Sequence, residues 1–289
     1  MQKSYKTKIS NQKIAIEILN TGAELCSVIN KNTPKEYIWD GNPAFWGKHS
    51  PILFPIVGTL KNDSYTYKNK NYTLSRHGFA RDLDFTLVNK TETKAEFTLK
   101  ANELTICHYP FDFELQIIYE IINTELFITY IVKNNDSATV PFSIGGHPAF
   151  ALTEDFERYS LKFSADEVLN TYLLEKNLLS DKVNTIVLNN KTLPLSYSLF
   201  EKDALIIKSM QSDEIELLES NRPILKFKFR DFPNFGIWTK DNAPFICLEP
   251  WVGYSDVLET SGDIMQKEGI LMLEPNHVKE FTFSIEFYT

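Results

Sequence analysis

The strongest constraint on the fold is the alternation of apolar and polar residues along most of the chain. In "FELQIIYEI", residues 113–121, every second side chain starting at Phe113 is apolar, and after "NTE" the alternation resumes as far as Val132. Successive side chains of a β-strand point to opposite faces, so this pattern predicts two strands joined by a tight turn. The same alternation recurs at residues 14–18, 85–87, 95–99, 225–229 and 281–287.

Turn-forming sequences separate these segments at short intervals, for example "KNDS", "KNNDS", "LNNKT" and "TKDNAP". Helix candidates are few: "NPAFWGKHS" is expected to form a short turn, and pieces near "SYSLFEKDA" could be helical. The chain has no linker rich in glycine and serine. We therefore expect a mainly β protein in which two large antiparallel sheets pack face to face, with residues 1–289 forming a single domain.

Composition excludes several classes of protein. The 289 residues include 30 Lys and Arg against 38 Asp and Glu, and this net charge of -8 argues against a nucleic-acid or membrane-surface partner. No apolar run is long enough to span a bilayer, and the N-terminal sequence lacks the apolar segment of a secretion signal. We expect a cytoplasmic protein that acts on a small, neutral or polar molecule.

Cofactor and metal motifs are missing from the sequence. It contains no Gly-x-Ser-x-Gly, Walker A, Gly-x-Gly-x-x-Gly or His-Glu-x-x-His pattern. Cys26, Cys107 and Cys247 lack the spacing of metal ligands, and their odd number cannot complete a disulfide framework. The sequence thus predicts buried free thiols, no cofactor and no metal.

His147 stands in "FSIGGHPAFAL", between two glycines and a proline. One interpretation is a strand end, where the glycines allow a bend and one ring nitrogen of the histidine makes a hydrogen bond. The other is proton transfer, because imidazole titrates near neutral pH. The segment alone leaves both open.

His77 and Arg81 flank Gly78 in "LSRHGFARDLDF". Arg81 could pair with Asp82 or Asp84 within a loop. Alternatively, His77 and Arg81 together could donate hydrogen bonds to hydroxyl or phosphate oxygens of a ligand.

Glu249 follows the apolar run of "APFICLEPWVGYSD" and precedes a proline and Trp251. A carboxylate at the end of a buried strand must be hydrated, paired or used. Trp251, and Trp238 in "NFGIWTK", offer flat surfaces on which a sugar ring could stack, although tryptophans of this kind also fill cores. One carboxylate and one imidazole, Glu249 and His147, would suffice for general acid–base catalysis.

Four motifs in this order, "PILFPIVGTLKN", "RHGFARDLDF", "SIGGHPAF" and "PFICLEPWVGYSD", resemble those of the aldose 1-epimerases, also called galactose mutarotases, and of a bacterial LacX-like branch among them. The resemblance extends over nearly the whole chain. It implies a galactose-mutarotase-like β-supersandwich with an open sugar cleft on one sheet. It also implies that His147 is the general acid and Glu249 the general base.

The same resemblance implies a set of substrate-binding residues. His77 corresponds to a substrate-binding histidine, Arg81 to an arginine that reaches sugar or phosphate oxygens, and Asp231 lies near the place of an acidic binding residue. Thr59 stands in "VGTL" where the branch usually has an arginine, and threonine supplies neither the charge nor the fork of a guanidinium. Thr59 could still donate a hydrogen bond to a hydroxyl.

Three functions follow as hypotheses. The first is an aldose 1-epimerase that interconverts the anomers of a free hexose, an isomerase of carbohydrate metabolism. The second is a hexose-6-phosphate 1-epimerase, which the absence of an arginine at residue 59 disfavours. The third is a non-catalytic sugar-binding or sensor protein, which would need neither His147 nor Glu249. The sequence leaves the oligomeric state open.

Overall fold

The computed structural model describes residues 5–288, which form mostly β-strands. In chain order the strands are β1 Lys6–Ser10, β2 Ile14–Leu19, β3 Leu25–Asn30, β4 Lys35–Glu36, β5 Ile52–Leu53, β6 Ser64–Tyr67, β7 Lys70–Thr73, β8 Thr86–Lys90, β9 Lys94–Lys100, β10 Phe113–Ile122, β11 Glu125–Asn134, β12 Val140–Phe142, β13 Ile144–Gly146, β14 Ala149–Ala151, β15 Tyr159–Phe163, β16 Val168–Glu175, β17 Leu178–Val187, β18 Thr192–Pro194, β19 Leu205–Ile207, β20 Glu214–Glu219, β21 Arg222–Lys228, β22 Asn234–Trp238, β23 Phe245–Val252, β24 Leu271–Leu273 and β25 Val278–Phe287.

Helical structure is confined to short segments. One α-helical turn, α1, spans Glu103–Ile106. The 3₁₀ turns are Lys61–Asp63, Ala80–Asp82, Phe156–Arg158, Tyr197–Phe200 and Ile264–Gln266. Within "NPAFWGKHS", residues 43–45 form a turn, as the sequence predicts, and residues 47, 49 and 50 are bends.

Two large sheets dominate the architecture. The first has nine strands in the order β18-β15-β20-β21-β25-β11-β10-β9-β8. The second has eight strands: β17-β16-β19-β22-β23-β13-β5 in sequence, with β14 also paired to β23. A four-stranded sheet, β1-β2-β3-β4, and the pairs β6-β7 and β12-β24 complete the described part. The predicted mainly β fold with two large antiparallel sheets is confirmed.

The predicted hairpin is β10 and β11, which pair antiparallel from Phe113 opposite Asn134 to Ile122 opposite Glu125. Burial alternates along both strands, so one face of the hairpin enters the core and the other faces outward. The inner faces of the two large sheets meet at Phe227 of β21, whose ring centroid lies 6.1 Å from that of Phe150 on β14 and 6.0 Å from that of Phe235 on β22. The period-two pattern thus sets which side chains fill the space between the sheets.

Two further expectations concern cysteines and membranes. Cys26 and Cys247 are buried free thiols, but Cys107 is exposed, so the prediction of burial is wrong for Cys107. It follows the short helix α1 on the surface rather than occupying a strand. Within residues 5–288 no helix combines the length and the apolarity needed to cross a bilayer. The single domain and the cytoplasmic location stay predictions.

Candidate active site

A cavity of about 350 Å³ opens beside β23, on the face of that strand that points away from the main core. Six residues that the sequence singles out line it: His77, Arg81, His147, Trp238, Glu249 and Trp251. Eight others complete the lining: Trp46, Gly58, Arg76, Leu174, Asp203, Ala204, Ile206 and Ser255. Loop and strand residues far apart in the chain therefore share one concave site.

The alternation of β23 explains the position of Glu249. Ile246 and Leu248 belong to the main core between the sheets. Cys247 and Glu249, which alternate with them, must point to the opposite face of the sheet. Glu249 lies opposite Gly236 of β22 and is only 1% exposed. The strand thus carries a carboxyl group to the floor of the cavity.

His147 lies in the short link between β13 and β14, both of which pair with β23. Its backbone N–H donates to the carbonyl of Pro51 at 3.1 Å. The ring lies against Trp46, with centroids 4.7 Å apart and nearly parallel planes, and meets the ring of Trp238 edge-on at 5.8 Å. These contacts fix the imidazole so that its Nε2 is 3.2 Å from Oε2 of Glu249.

The electrostatics of this pair are dominated by burial. Burial raises the pKa of Glu249 well above its ordinary value and lowers the pKa of His147, because each charged form loses its hydration. Oε2 of Glu249 and Nδ1 of His147 are buried without a hydrogen-bond partner among residues 5–288. The 3.2 Å contact thus has the separation of an ion pair but not the geometry of a hydrogen bond. Both groups are left available to a ligand.

His77 is held in the left-handed region, with φ of 68°, on a loop beside the pair. The N–H of Gly58 is placed to donate to Nδ1 of His77 at 3.1 Å, and Nε of Arg76 is placed to donate to Nε2 at 3.2 Å. A neutral imidazole carries one ring hydrogen, so its tautomer decides which of the two donors it accepts. Burial, followed by the charges of nearby basic groups, lowers the pKa of His77 well below its ordinary value and keeps the ring neutral. His77 is therefore a neutral ring held between two protein donors at the cavity wall.

Arg76 adjoins His77 on this loop, and its Nε donates to Nε2 of His77 at 3.2 Å. Because a neutral ring cannot accept from both Gly58 and Arg76 at once, one of these two N–H groups is free to donate to a hydroxyl or anionic oxygen of a ligand. Nη1 of Arg76 also lies 4.0 Å from Oδ2 of Asp203.

Arg81 lines the cavity, and its Nη2 donates to the carbonyl of Arg76 at 2.8 Å. Its Nε lies 3.6 Å from Oδ2 of Asp82, so the loop pairing expected as one alternative is present as well. The cavity side of the loop therefore carries two guanidinium groups, Arg76 and Arg81.

Two predicted binding residues do not line the cavity. Asp231 is exposed, and its Oδ2 accepts a hydrogen bond from the backbone N–H of Thr282 on β25 at 2.8 Å. This corrects the sequence-based placement of Asp231: the carboxylate binds the backbone of β25 just beyond the end of its neighbouring strand β21 in the nine-stranded sheet. Thr59 is buried behind the cavity, where its N–H donates to Oγ of Ser255 at 3.0 Å. Gly58 and Ser255, its neighbours, reach the lining instead.

Of the eight lining residues that the sequence does not single out, three carry a charge or a large aromatic ring: Trp46, Arg76 and Asp203. Arg76 directly precedes His77 in "LSRHGFARDLDF", so its place beside a candidate histidine was the available signal. Asp203 sits in a turn with φ of 80°, an unusual value for a residue other than glycine, and Trp46 sits in the short turn before His49. No sequence period marks either position.

Trp251 forms part of the wall but is not free to move. Gly145 of β13 stands opposite it, and Gly236 of β22, which is opposite Glu249, lies beside its ring. A Cβ atom added to Gly145 would lie 2.6 Å from Cδ1 of Trp251, and one added to Gly236 would lie 2.6 Å from Cζ2. The indole therefore occupies a slot between two glycines, which holds it next to Glu249.

Comparison with known proteins decides the family. The model of the aldose 1-epimerase family matches residues 5–278. The chain belongs to this family. The chromosomal and plasmid forms of protein LacX from Lactococcus lactis subsp. lactis are each 33% identical to it over 293 residues, an alignment that covers 96% of this chain and 98% of the relative. The resemblance inferred from the four motifs is confirmed.

Solved structures agree with this assignment to the aldose 1-epimerases. A galactose mutarotase related enzyme from Lactobacillus acidophilus is 34% identical, with a TM-score of 0.94 over 99% of this chain and 98% of that one. A galactose mutarotase-like protein from Lactobacillus casei is 30% identical, with a TM-score of 0.92 over 98% of this chain and 100% of that one. The galactose-mutarotase-like fold is confirmed, and family and fold together support an isomerase of the epimerase or mutarotase type with a sugar substrate.

Proposed function

We propose that this protein is an aldose 1-epimerase that interconverts the α and β anomers of a free hexose, with Glu249 as general base and His147 as general acid. The observation that carries the proposal is the buried pair itself. Its two functional atoms lie 3.2 Å apart on the cavity floor, without a hydrogen bond between them. Acid and base are close enough to act on neighbouring oxygens of one sugar ring.

The reaction needs two coupled proton transfers. Glu249 takes the proton of the anomeric hydroxyl while His147 gives a proton to the ring oxygen, and the bond between C1 and the ring oxygen breaks. The open-chain aldehyde turns about its C1–C2 bond and closes on the opposite face. The reverse transfers on closure return both groups to their starting states, so neither a metal nor a cofactor takes part in the step.

Burial favours an uncharged pair in the free site, with the proton on Glu249. Moving this proton to His147 gives the working pair and leaves the net charge unchanged. A sugar hydroxyl that donates to the carboxylate stabilises the charged form of Glu249. Substrate binding therefore favours the protonation state in which Glu249 is the base and His147 the acid.

The remaining lining residues supply the binding contacts. The ring of His77 and the guanidinium of Arg76 lie together at the cavity wall, where they can hold a sugar hydroxyl. Asp203 accepts from hydroxyl hydrogens on the other side of Arg76. Trp238 and Trp251 supply apolar surface for the carbon face of the ring.

A hexose 6-phosphate is the second candidate substrate, and Arg76 is the observation that favours it. The sequence suggested a weak anion site because Thr59 replaces an arginine. Arg76 restores a second guanidinium beside Arg81 in the cavity lining. Asp203 offsets part of that charge, and for this reason we place the neutral hexose first.

NMR measurement of anomer exchange, with a panel of aldoses and their 6-phosphates, tests the proposal. We expect the protein to accelerate exchange of at least one neutral hexose. A protein that binds sugars by calorimetry but accelerates no exchange would be a sugar-binding or sensor protein, and the proposed activity would be withdrawn. A clear preference for a phosphorylated sugar at matched ionic strength would make Arg76 and Arg81 the phosphate site.

A further inference from the structure

Cys247 is a buried thiol beside the catalytic pair that the proposed reaction does not use. It precedes Glu249 by two positions on β23, so both side chains point to the same face of the sheet. Cys247 is 0% exposed. One ligand atom each of His147, Cys247 and Glu249 lies within 4.8 Å of the other two.

The chemistry of these three donors is that of a zinc site. Imidazole nitrogen, thiolate sulfur and carboxylate oxygen are the zinc ligands of proteins, whereas Mg²⁺ and Ca²⁺ prefer oxygen alone. Zinc bonds of about 2.0–2.3 Å place tetrahedral ligand atoms roughly 3–4 Å apart. The contact between His147 and Glu249, at 3.2 Å, already has that spacing. The sulfur would need to approach by only about 1 Å.

We propose that His147, Cys247 and Glu249 bind one Zn²⁺ ion when the cavity holds no sugar, and that this ion blocks the site. The fourth position of the ion faces the cavity and is open to water, as in zinc sites with three protein ligands. This site goes beyond the sequence expectation of no metal, and it plays no part in catalysis.

Charge balance supports the proposal. The thiolate of Cys247 and the carboxylate of Glu249 together cancel the two positive charges of the ion. A buried site accepts a neutral assembly at much lower cost than an isolated charge. Arg76 and Arg81 also line the cavity, and their positive charges weaken the binding of a cation. We therefore expect reversible rather than structural binding.

The unsatisfied atoms are an independent sign that a ligand belongs here. Oε2 of Glu249 is buried, and no hydrogen bond from the rest of residues 5–288 reaches it. Glu249 is 1% exposed and His147 8% exposed, so protein rather than solvent surrounds both groups. Such lone pairs carry an energetic cost until a partner engages them.

The expected consequence is competition between zinc and sugar. A bound ion engages the lone pairs of His147 and Glu249, which then can neither accept nor deliver a proton. This inhibition rests on the proposed function, whereas zinc binding does not.

Zinc binding can be measured on the full-length protein by competition with a fluorescent chelator. We expect one Zn²⁺ per chain in the wild type and in Cys107→Ser, which removes the exposed thiol as a matched control. Cys247→Ala and Glu249→Gln should each weaken binding at least about tenfold, since even the loss of an outer partner of a metal ligand costs that much. Mg²⁺ should not compete.

Two further readouts guard against a trivial result. Calorimetry in buffers of different ionisation enthalpy should show proton release on zinc binding to the wild type, because a zinc-bound cysteine is a thiolate. If Cys247→Ala unfolds, Cys247→Ser serves in its place, because serine keeps the volume and is a poor zinc ligand. Binding that survives in Cys247→Ala or Cys247→Ser but disappears in Cys107→Ser would overturn the proposal and assign the zinc to the surface thiol.

Activity separates this proposal from the proposed function. If the protein is an active epimerase, zinc should raise the KM of Cys107→Ser for the sugar without lowering its kcat. Zinc should not change the KM of Cys247→Ala. Each variant is compared with its own zinc-free kinetics. Zinc binding through Cys247 in a protein without anomer exchange would retain the metal site and reject the epimerase. Anomer exchange in a protein that binds no zinc would retain the epimerase and reject the metal site.

Discussion

Two glutamate–histidine pairs lie in this protein, and they behave oppositely. In the first, Oε1 of Glu24 accepts hydrogen bonds from the backbone N–H groups of His49 and Ser50, and lies 3.5 Å from Nδ1 of His49. In the second, Glu249 and His147 meet at 3.2 Å, and Oε2 of Glu249 has no hydrogen-bond partner in the described chain. Both glutamates are buried.

The difference shows that burial alone does not decide the state of a carboxyl group. Burial by itself would raise the pKa of Glu24, but the side chain and backbone N–H of His49 and the backbone N–H of Ser50 outweigh it and lower that pKa. Within residues 5–288 no backbone N–H donates to the Glu249 carboxyl, and burial outweighs the opposing contribution of the Trp251 indole and raises the pKa of Glu249. Backbone donors thus make Glu24 a structural anion, and their absence leaves Glu249 reactive.

The structural pair also supports the reactive one. Glu24 fixes the start of the segment that follows His49. Pro51, two residues after His49, accepts the backbone hydrogen bond of His147. The hydrogen-bonded carboxylate of Glu24 therefore holds the loop that positions His147.

The sharpest test of the comparison is Glu249→Gln. We expect kcat to fall by about 10²–10⁴-fold, the usual contribution of a general base, or roughly 3–5 kcal/mol of barrier. Stability should not fall, because this carboxyl loses no hydrogen bond. His147→Asn should lower kcat by a similar factor, and the kcat of the double variant should be little lower than that of the less active single variant. Anomer exchange at the wild-type rate in Glu249→Gln would remove this residue from the role of base.

Glu24→Gln should lower stability and leave kcat largely unchanged, the reverse of what we expect for Glu249→Gln. Glutamine keeps an acceptor oxygen for the two backbone N–H groups but removes the charge that strengthens both hydrogen bonds, so the free energy of unfolding should fall by about 1–3 kcal/mol. The effect on kcat should be far smaller than that of Glu249→Gln. Urea denaturation and anomer exchange on the same preparations measure both quantities. Unchanged stability would show that the charge of Glu24 contributes nothing measurable to folding.

Arg76→Gln tests the guanidinium group that lines the cavity together with His147 and Glu249. Because Arg76 is partly exposed, we expect kcat/KM for a hexose 6-phosphate to fall about fivefold, corresponding to ~1 kcal/mol. The value for the neutral hexose should change less. Equal losses for both sugars, measured at one ionic strength, would mean that Arg76 binds a hydroxyl rather than a phosphate.

The pH dependence of stability gives the smallest effect. The pKa of Glu24 in the folded protein lies below its ordinary value of 4.5. Its contribution is therefore fully present above pH 4.5 and is lost as the pH falls through the folded value. The stability difference between wild type and Glu24→Gln should shrink on acidification below pH 4.5. A difference that stays constant down to pH 3 would contradict the assigned ionisation of Glu24.

The sequence was most informative where a periodic pattern or a motif exists. Alternating residues such as Phe113 to Ile121 predicted the hairpin and its buried face, because burial of one face fixes the register of a strand. His147 and Glu249 stood out as polar groups in apolar surroundings, and the cavity brings them together. Whether they perform the assigned steps stays a prediction.

The sequence was least informative in turns. Trp46 and Asp203 enter the cavity from turns whose residues follow no period, and the left-handed backbone of Asp203 is visible only in the structure. Asp231 was misplaced because it sits in the turn between β21 and β22, which belong to different sheets. One turn of this kind can send a side chain to either sheet, and only the folded chain shows which.

The slot around Trp251 limits how the site can change under selection or in the laboratory. Gly145 and Gly236 stand on the two strands that flank β23, and any side chain there would collide with the indole at about 2.6 Å. A smaller residue at 251 alone would leave a gap in the cavity wall. New specificities in this wall therefore require paired substitutions, in which the ring is reduced and a neighbouring glycine is enlarged, and libraries that vary one position at a time will miss them.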